Sequence, residues 1–515
     1  MLLTDYLKAA AEQWSEKTVL IHGNKDFTYS DLDKAAMGVA AGLQKIGVEP
    51  GFRGALLIDD PYEYIVSYFG ILLAGGIVVG LNTQTSDASL AYVLNDCQAS
   101  VLFSADKFIG HAQASMPLVS SVQKLIVSGI ADKGVHLGNS CQMHSFNDIC
   151  GCPQPALHAL PYRSSCDFAQ IIYTSGTTGK PKGVVLRHAN LIANTSSIVS
   201  YLDLQSSDRV MAVLPFFYSY GNSIMLTHLA VGGSLVVNQS FLYPNVILQQ
   251  MLDHEVTGFS GVPSTFALLL NRSAVASFSF PKLRYLTQAG AAMSPELTRR
   301  LKSTFQGVKI FIMYGQTEAS ARLSYLHPDE VERKPGSIGK GIPGVELTLR
   351  DRMGMPVQKG EVGEIVARGE NIMAGYWQRP VETREVLRSE GLWTGDLARC
   401  DEEGFLYIVS RKNDLIKSGS HRIGPKEIED VLTEHTAVYE VAVIGIPDEI
   451  LDERICACII LRPGCECSEK ELKAHCKKYL PRYKIPHSII FFRDLPKTTS
   501  GKVQKSDLRL MVSTL

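Results

Sequence analysis

The chain has 515 residues, of which 45% are hydrophobic and 20% charged, and its formal net charge is −1. That length predicts several lobes in one globular protein, since domains usually hold about 100–200 residues. The near-zero charge disfavours bulk nucleic-acid binding, which needs a basic surface. The longest apolar run, Gly70–Leu81, is shorter than the roughly 18 residues of a membrane span. With no signal-peptide pattern at the N-terminus, these features predict a cytoplasmic protein.

The first third of the chain alternates predicted helices with predicted strands. Helical periodicity covers Asp5–Trp14, Thr28–Gly47 and Tyr62–Ala74. Alternation of this kind predicts an α/β fold with largely parallel strands. The predicted strands between the helices are Thr18–Ile21, Ala55–Leu57 and Ile77–Gly80.

The middle of the chain repeats this pattern. A strand at Phe168–Thr174 leads through a Gly-rich loop to a helix at Ala189–Leu202. Ligands of open α/β sheets bind at the carboxyl ends of the strands, so this loop and the Tyr314-Gly315 turn are candidate ligand contacts. The further predicted strands are Val210–Val213, Leu283–Gln288, Lys309–Met313, Glu361–Arg368 and one beginning at Gly404–Ser410.

The character of the chain changes after Arg411. The residues that follow predict a small α+β unit with its own alternation and its own core. We therefore expect a large α/β domain over residues 1–411 and a small C-terminal domain over residues 412–515. The elements predicted in the small domain are helices Lys426–His435 and Ser468–Leu480 and strands Val438–Gly445 and Arg454–Leu461.

The 11 cysteines do not have the spacing of a metal site. Several stand in pairs separated by one residue, no CxxC pair occurs, and we interpret them as reduced thiols. A zinc site can be drawn only from Cys141, His144, Cys150 and Cys152, and their spacing disfavours it.

A loop rich in glycine and hydroxyl residues follows the strand Phe168–Thr174. It reads Tyr-Thr-Ser-Gly-Thr-Thr-Gly-Lys-Pro-Lys-Gly over residues 173–183. Glycines allow backbone N–H groups to point into one concavity, and hydroxyl and ammonium groups add donors, as a polyphosphate needs. It is not a Walker A loop, because Pro181 follows Lys180 and Thr174 replaces the upstream Gly. The predicted phosphate-binding residues are Thr174, Ser175, Gly176, Thr177, Thr178, Gly179 and Lys182.

Six motifs in order resemble the signatures of the acyl-adenylate-forming superfamily, which comprises acyl-CoA synthetases, nonribosomal peptide adenylation domains and beetle luciferases. They extend from the first third of the chain to the C-terminus. The motifs are YTSGTTGKPKGV at 173–184, PFFYSYG at 215–221, YGQTE at 314–318, GLWTGDLA at 391–398, GFLYIVSRKNDLIKSG at 404–419 and PKTTSGKVQK at 496–505.

The resemblance implies a large N-terminal domain, a small mobile C-terminal domain and a reaction in two halves. A carboxylate oxygen first attacks the α-phosphorus of ATP and pyrophosphate leaves. A thiol then attacks the adenylate carbonyl and AMP leaves. Positioning and electrostatics are expected to carry most of the catalysis of the first half.

The resemblance also implies roles around ATP for individual residues. Glu318 would bind Mg²⁺, a hard cation that takes few protein ligands. Thr317 would bond the α-phosphate, Asp396 would accept both ribose hydroxyls, and Arg411 would add a ribose or phosphate contact. Tyr314 would stack on adenine. The remaining implied ATP-binding residues are Gly290, Ala291, Ala292, Gly315 and Gln316.

Lys502 is implied as the catalytic lysine of adenylation. Its ammonium would bridge the substrate carboxylate and the α-phosphate and so offset two like charges. Because Lys502 lies on the small domain, domain closure would have to bring it to the site. The expected hinge position holds Asn413, where the family usually has Asp or Lys; Asn tolerates unusual backbone angles well.

After rotation about the hinge, Lys417 and Gly419 would help to shape a tunnel for the thiol. Ser420 stands where the family pattern has Gly, and this departure leaves the thiol acceptor open. His421 is interpreted as a surface histidine, because nothing in the sequence positions it as a base.

The acyl pocket is less readable from the sequence. Adenylation domains for α-amino acids carry Asp after the Phe of the PFF-like motif, whereas Tyr218 follows Phe217 here, which disfavours an α-amino acid. The mixed set of pocket residues suits a short or medium acid, hydroxylated or aryl acids included. The predicted pocket residues are Phe217, Tyr218, Tyr220, Gly221, Phe259, Gly261 and Met313, together with Phe266 and Gln288.

The sequence therefore predicts a ligase that uses ATP, Mg²⁺ and a small carboxylic acid, with CoA as the thiol co-substrate. The alternative acceptor is the phosphopantetheine of a carrier protein, which presents the same thiol. A non-catalytic relative is a remote alternative, because degeneration should first remove Lys502, Glu318 or Asp396, and all three are present.

Overall fold

The computed structural model describes residues 1–129, 141–153, 161, 163–174, 180–241, 243–419, 421–497 and 503–513, with only the backbone of Asn413. In these ranges no helix is both long and apolar enough to cross a membrane.

Several helices begin at a side-chain cap. Thr28 and Asp31 form a capping box at the start of the second helix, with Asp31 N donating to Thr28 Oγ1 at 3.1 Å. Proline occupies the first position of several others, where its missing N–H costs nothing. The helices are α1 Thr4–Gln13, α2 Tyr29–Lys45, α3 Pro61–Leu73, α4 Asp87–Asp96, α5 Ile109–Ser115, α6 Phe146–Cys150, α7 His188–Leu202, α8 Ser219–Ala230, α9 Pro244–Asp253, α10 Pro263–Arg272, α11 Pro295–Thr304, α12 Pro380–Val386, α13 Pro425–Thr433, α14 Glu469–Tyr479 and α15 Lys505–Ser513.

Strands are short and mostly buried. The predicted strands Ile77–Gly80 and Phe168–Thr174 are confirmed at the same bounds. The strands are β1 Thr18–His22, β2 Lys25–Thr28, β3 Arg53–Leu57, β4 Ile77–Gly80, β5 Val101–Ala105, β6 Lys124–Ser128, β7 Gln142–Ser145, β8 Phe168–Thr174, β9 Lys182–Arg187, β10 Arg209–Ala212, β11 Ser234–Val237, β12 Gly258–Gly261, β13 Tyr285–Gln288, β14 Lys309–Tyr314, β15 Ser324–Leu326, β16 Lys340–Gly341, β17 Val345–Arg350, β18 Val362–Gly369, β19 Gly375–Tyr376, β20 Leu387–Arg388, β21 Gly391–Cys400, β22 Leu406–Arg411, β23 Ile416–Ser418, β24 His421–Ile423, β25 Val438–Asp448, β26 Asp452–Leu461 and β27 Ser488–Phe491.

Two large sheets build the first part of the chain. One has nine strands in the order β16-β15-β14-β13-β12-β10-β11-β1-β2, parallel from β14 to β1. The other has eight strands in the order β19-β9-β8-β4-β3-β5-β6-β7, parallel from β8 to β7. The predicted α/β class with largely parallel strands is thus confirmed.

The main core lies between these two sheets. Helices α2, α3, α7 and α8 contribute their buried faces to it, and both sheets contribute alternate residues. Along β10, for example, Val210 and Ala212 face this core while Met211 faces a second core beneath α9, α10 and α11. Burial on both faces explains why most residues of the central strands are apolar.

Two smaller sheets complete the fold. Strands β17, β18, β21, β20 and β22 form an antiparallel sheet. Strands β23–β27 form a separate sheet in the C-terminal part, covered by α13 and α14 on one face and by α15 on the other. This gives the predicted large domain followed by a small α+β domain.

The element that follows the Gly-rich loop differs from the prediction. The expected order was strand, loop and helix, but the apolar run Val184–Leu186 belongs to a further strand, β9, before α7 begins. Strands β8 and β9 are antiparallel neighbours, with Thr174 opposite Lys182. The loop therefore connects a β-hairpin, since a short buried apolar run after the lysines pairs back onto β8.

Candidate active site

A large cleft lies at the carboxyl ends of the parallel strands of the nine-stranded sheet and extends to the C-terminal domain. Its volume is about 2560 Å³. Residues from the small domain, including Lys426, Glu429 and Val503, form part of its wall. The predicted site residues on its wall are Thr174, Lys182, Tyr220, Gly290, Ala291, Ala292, Met313, Tyr314, Gly315, Gln316, Thr317, Glu318, Asp396 and Arg411.

Strands β13 and β14 are parallel neighbours. Their carboxyl ends therefore place two predicted ligand contacts side by side, the Gly290–Ala292 turn and the Tyr314-Gly315 turn. After β13 the backbone turns at Gly290, which has φ +95°. The side chain of Gln288 supports this turn, with Nε2 donating to Ala291 O at 2.7 Å. A residue with a Cβ would be strained at that φ, so glycine is required for the turn.

Tyr314, Asp396 and Arg411 meet in one hydrogen-bonded cluster. Tyr314 Oη donates to Asp396 Oδ2 at 2.7 Å, and Arg411 Nε donates to Asp396 Oδ1 at 3.1 Å. Asp396 and Arg411 are register partners on the antiparallel strands β21 and β22. The Asp396 carboxylate raises the pKa of the Arg411 guanidinium, and burial followed by the charge of Asp396 raises the pKa of Tyr314. Tyr314 therefore remains a phenol that donates to a buried carboxylate.

Glu318 lies on a short 3₁₀ turn, Thr317–Ala319, directly after β14. Tyr376 Oη donates to Glu318 Oε1 at 2.9 Å, and Lys182 Nζ lies 5.4 Å from the centroid of the Tyr376 ring. Burial, with the neighbouring carboxylate, raises the pKa of Tyr376, so this hydroxyl keeps its proton and donates. Thr317 Oγ1 lies 3.4 Å from Ser219 Oγ. The cluster brings a carboxylate and a cation to one wall of the cleft.

Glu364 links the backbone next to Asp396 to Lys412, at the start of the segment that leads to the small domain. Its buried carboxylate accepts Gly395 N through Oε1 at 3.0 Å and Lys412 Nζ through Oε2 at 3.0 Å. Neither Glu364 nor Tyr376 was among the residues predicted from the sequence. Each lies far along the chain from the residue that it supports, so no local spacing pointed to it.

The acyl-pocket candidates separate into two groups. Tyr220 and Met313 lie on the cleft wall, and Tyr220 Oη donates to Thr287 O at 2.9 Å. Phe259 instead packs against Phe266 and Phe241 in the core on the far face of the nine-stranded sheet. Its placement in the pocket is wrong, because side chains alternate along β12 and Ser260 is the residue that faces Thr287.

Four other pocket candidates are fixed by packing. A Cβ at Gly221 would lie 2.0 Å from Pro215 O, and one at Gly261 would lie 3.0 Å from Thr265 Cγ2. Phe217 is buried against Gly80. Tyr218 is half-buried and its ring centroid lies 4.4 Å from that of Phe217.

Several predicted residues lie outside the described part of the chain. The flanks of the phosphate loop, Thr174 and Lys182, are described, and so are Lys497 and Val503, which pair in a β-bridge. The residues outside it are Ser175, Gly176, Thr177, Thr178, Gly179, Ser420 and Lys502, with the side chain of Asn413.

The predicted thiol-tunnel residues lie on the β23–β24 hairpin of the small domain. Lys417 N donates to Glu453 Oε2 at 2.7 Å, and Gly419 has φ +58°. In the described structure neither residue lies on the wall of the cleft. His421 is exposed and stacks on Tyr483, with ring centroids 4.1 Å apart. The thiol tunnel stays a prediction that requires the small domain to move.

Among the described residues, which include Cys141, His144, Cys150 and Cys152, no group of three or more His, Cys, Asp or Glu side chains could hold a metal ion. A cation at Glu318 would therefore take most of its ligands from phosphates and water, as Mg²⁺ commonly does.

The layered sheets, the small C-terminal domain and the carboxylate clusters at the strand ends define an adenylate-forming type of enzyme. Residues 7–377 match the family described as "AMP-binding enzyme", and residues 427–502 match "AMP-binding enzyme C-terminal domain". The chain belongs to the AMP-binding enzyme family.

Two curated relatives resemble the chain over nearly its full length. It is 31% identical to a long-chain-fatty-acid–CoA ligase of Bacillus subtilis (strain 168) over 530 residues, covering 98% of this chain and 94% of the relative. It is also 31% identical to a feruloyl-CoA synthase of Amycolatopsis over 493 residues, covering 96% and 95%.

Solved structures show the same similarity. The anthranilate CoA ligase AuaEII in complex with anthranoyl-AMP has a TM-score of 0.91 at 29% identity, covering 100% of this chain and 98% of that one. The O-succinylbenzoate coenzyme A synthetase MenE of Bacillus subtilis, in complex with ATP and a magnesium ion, has a TM-score of 0.85 at 28% identity, covering 98% and 99%.

Proposed function

We propose that this protein is an AMP-forming acid–thiol ligase that joins a small carboxylic acid to CoA. The observation that carries the proposal is the Tyr314–Asp396–Arg411 cluster beside Glu318. Tyr314 ends β14, Arg411 ends β22 and Asp396 lies within β21. A buried carboxylate backed by a phenol and a guanidinium suits two ribose hydroxyls. The similarity to relatives and solved structures that are named as CoA ligases supports a CoA acceptor.

The residues around the cleft suit ATP. Tyr314 and the Gly290–Ala292 turn would contact adenine, while Asp396 and Arg411 would bind the ribose. The hairpin loop between Thr174 and Lys182 would bind the phosphates, since its anchored ends lie on the same wall as Glu318. Glu318 supplies the hard oxygen donor that Mg²⁺ prefers, and the bound ion would neutralise charge on the phosphates.

In the first half-reaction, an oxygen of the acid carboxylate attacks the α-phosphorus, the bond to the β-phosphate oxygen breaks, and pyrophosphate leaves. Thr317 would donate to the α-phosphate. Lys502 would hold the two anions together as they approach, and we expect its ammonium to lower the barrier by electrostatic stabilisation.

In the second half-reaction, the CoA sulfur attacks the adenylate carbonyl and AMP leaves with the bonding electrons. This step requires Lys417 and Gly419 to approach the cleft, which the change of hinge angle at Asn413 would allow. We also propose the domain boundary at 411/412 and a cytoplasmic location. Loading of a carrier protein is the alternative acceptor reaction, and the names of the relatives do not favour it.

ATP–pyrophosphate exchange with purified protein, Mg²⁺ and a panel of fatty, aryl, hydroxy, amino and dicarboxylic acids tests the proposal. Exchange with at least one acid, followed by acyl-CoA formation when CoA is added, is the expected result. Exchange without acyl-CoA, but with loading of a pantetheinylated carrier protein, would replace the acceptor. Exchange with none of the acids, together with no detectable ATP binding, would reject adenylation itself.

A further inference from the structure

Arg322 is a buried cation on the cleft wall, and the groups that face it among the described residues are neutral. Its residue is 3% exposed, and it takes part in none of the ion pairs within the described ranges. The guanidinium lies 4.0 Å from the centroid of the Tyr220 ring. Its Nε donates to Met313 Sδ at 3.4 Å and its Nη1 to Ala321 O at 3.3 Å. The hydroxyls of Tyr201 and Tyr220 complete its surroundings.

The backbone holds Arg322 firmly in this place. Its carbonyl oxygen accepts Nδ2 of Asn371 at 2.9 Å and Nδ2 of Asn194 at 3.1 Å, and both asparagines are buried. Gly315 permits the close approach, because a Cβ there would lie 2.8 Å from Arg322 Cα. With its backbone anchored in this way and its guanidinium in contact with Met313 and Ala321, Arg322 loses little freedom when it binds a ligand.

The wall beside Arg322 is polar as well as aromatic. Thr287 Oγ1 lies 2.9 Å from Tyr220 Oη and 2.8 Å from Ser260 Oγ. Gln288, also on the cleft wall, has a buried Oε1 with no hydrogen-bond partner among the described residues. An unbranched hydrocarbon chain in this pocket would offer no hydrogen bond to Gln288 Oε1 and would pack against a polar wall.

A buried guanidinium with no counter-ion among the described residues is unfavourable unless an anion arrives with the ligand. Its planar donor set matches a carboxylate in two parallel hydrogen bonds. We propose that Arg322 is a specificity-determining residue that binds a second carboxylate of the acid substrate, so that the enzyme activates one end of a dicarboxylic acid.

This inference rests on the proposed ligase function and names its substrate class. One carboxylate attacks the α-phosphorus and is converted through the adenylate to the thioester. The other keeps its charge throughout, paired with Arg322, and leaves as the free acid end of a mono-CoA thioester. ATP is cleaved to AMP and pyrophosphate once per turnover, and no further reactant is needed.

The test compares matched acids and matched variants. Aliphatic and aryl dicarboxylic acids of increasing length are each assayed against their monomethyl esters, which keep one carboxylate and the overall shape. For the wild type we expect kcat/KM in pyrophosphate exchange to favour the preferred diacid over its monoester by about 100-fold, a typical effect of leaving a buried charge unpaired. Product mass should show one CoA per diacid.

In Arg322→Met, a change that keeps an apolar body of comparable length, we expect this preference to fall to within about 10-fold, with the monoester as active as before or more so. Arg322→Lys should retain part of the preference. Arg368→Met is the matched control, because Arg368 is exposed and donates to Ser389 O and Glu390 O away from the cleft. Thermal unfolding and ATP affinity of all variants show whether each is folded.

Three results would overturn the inference. Equal activity of the wild type with diacids and monoesters would do so while leaving the ligase function intact. If folded Arg322→Met lost activity equally with all acids, Arg322 would instead contact the reacting carboxylate or serve packing alone. Exchange with none of the acids, together with no detectable ATP binding, would reject the ligase function and this inference with it.

Discussion

The Tyr376 hydroxyl donates to Oε1 of Glu318 at 2.9 Å. The contact joins β19, at the edge of the eight-stranded sheet, to the turn after β14 of the nine-stranded sheet. The same ring lies 5.4 Å from Lys182 Nζ, at the end of the phosphate-loop hairpin. One tyrosine thus relates the carboxylate proposed for Mg²⁺ to the loop proposed for the phosphates.

We expect Tyr376→Phe to keep the ring beside Lys182 but to free the Glu318 carboxylate to rotate. Residues that orient a metal ligand typically affect metal affinity or activity by about 10-fold to 100-fold when removed. The half-saturating Mg²⁺ concentration in pyrophosphate exchange should therefore rise about 10-fold. The exposed Tyr479 gives a control, Tyr479→Phe. An unchanged Mg²⁺ dependence in Tyr376→Phe would show that this hydroxyl does not position Glu318.

Asp396→Asn should weaken ATP binding. The amide keeps an oxygen that can accept the Tyr314 hydroxyl, but it leaves the Arg411 guanidinium without its carboxylate and presents a donor to the ribose. Because the Arg411 side chain is 50% exposed, the loss is partly screened, and we expect Kd for ATP to rise about 10-fold. Calorimetric titration measures the Kd for ATP. The control is Asp253→Asn, because the exposed Asp253 carboxylate accepts a hydrogen bond from Gln249 Nε2. Unaltered ATP affinity would argue against a ribose contact at Asp396.

The sequence predicted many helices and strands, because the patterns that indicate them are local. Apolar runs bounded by turns located β4 and β8, and a charged amphipathic stretch located α13. Motif resemblance pointed to Tyr314, Asp396 and Arg411, which the structure brings within hydrogen-bond distance; their roles in binding ATP stay predictions. Strand β9 was missed because its few apolar residues follow a lysine-rich loop.

The rest depends on contacts between distant parts of the chain. Tyr376 and Glu364 support residues on other strands, so no spacing in the sequence reveals them. The burial of Arg322 without a carboxylate is equally invisible, since an arginine four residues after Glu318 has the pattern of an ordinary surface charge. Phe259 was misplaced for a different reason: a four-residue strand buried on both faces gives no alternation from which to choose its inward side.

Protein stability should fall as the pH drops from about 7 towards 4. Burial lowers the pKa of His228 from 6.5 to about 4 in the folded protein, where Nε2 lies 3.0 Å from Tyr285 Oη. The unfolded chain therefore binds a proton in this window that the folded chain does not. Stability from this group is full above the unfolded pKa and is lost at up to about 1.4 kcal/mol per pH unit below it.

Chemical denaturation at several pH values measures this slope in the wild type and in His228→Gln. We expect the variant to be less stable at pH 7 but to depend less on pH between about 4 and 6.5, by close to one proton. Buried His188, whose pKa burial also lowers to about 4, should leave a residual slope. His327→Gln, at a histidine whose side chain is 54% exposed, is the control. Identical slopes for His228→Gln and the wild type would contradict the assignment.

Gly315→Ala should destabilise the protein and abolish adenylation together. A Cβ at this position would lie 2.0 Å from Ala321 O and 2.8 Å from its carbonyl carbon, so the chain segment after Glu318 would have to move. That segment carries Glu318 and Arg322. It is fixed by Ser320, whose hydroxyl donates to Asn371 O at 2.7 Å. Overpacking against backbone costs about 1–3 kcal/mol or more, which thermal unfolding would detect.

Gly110→Ala is the matched control, because a Cβ there meets nothing within 4 Å and alanine in helix α5 should stabilise by about 0.5–1 kcal/mol. Normal stability and exchange in Gly315→Ala would mean that the segment after Glu318 tolerates displacement, and that its position does not set the geometry of the cleft.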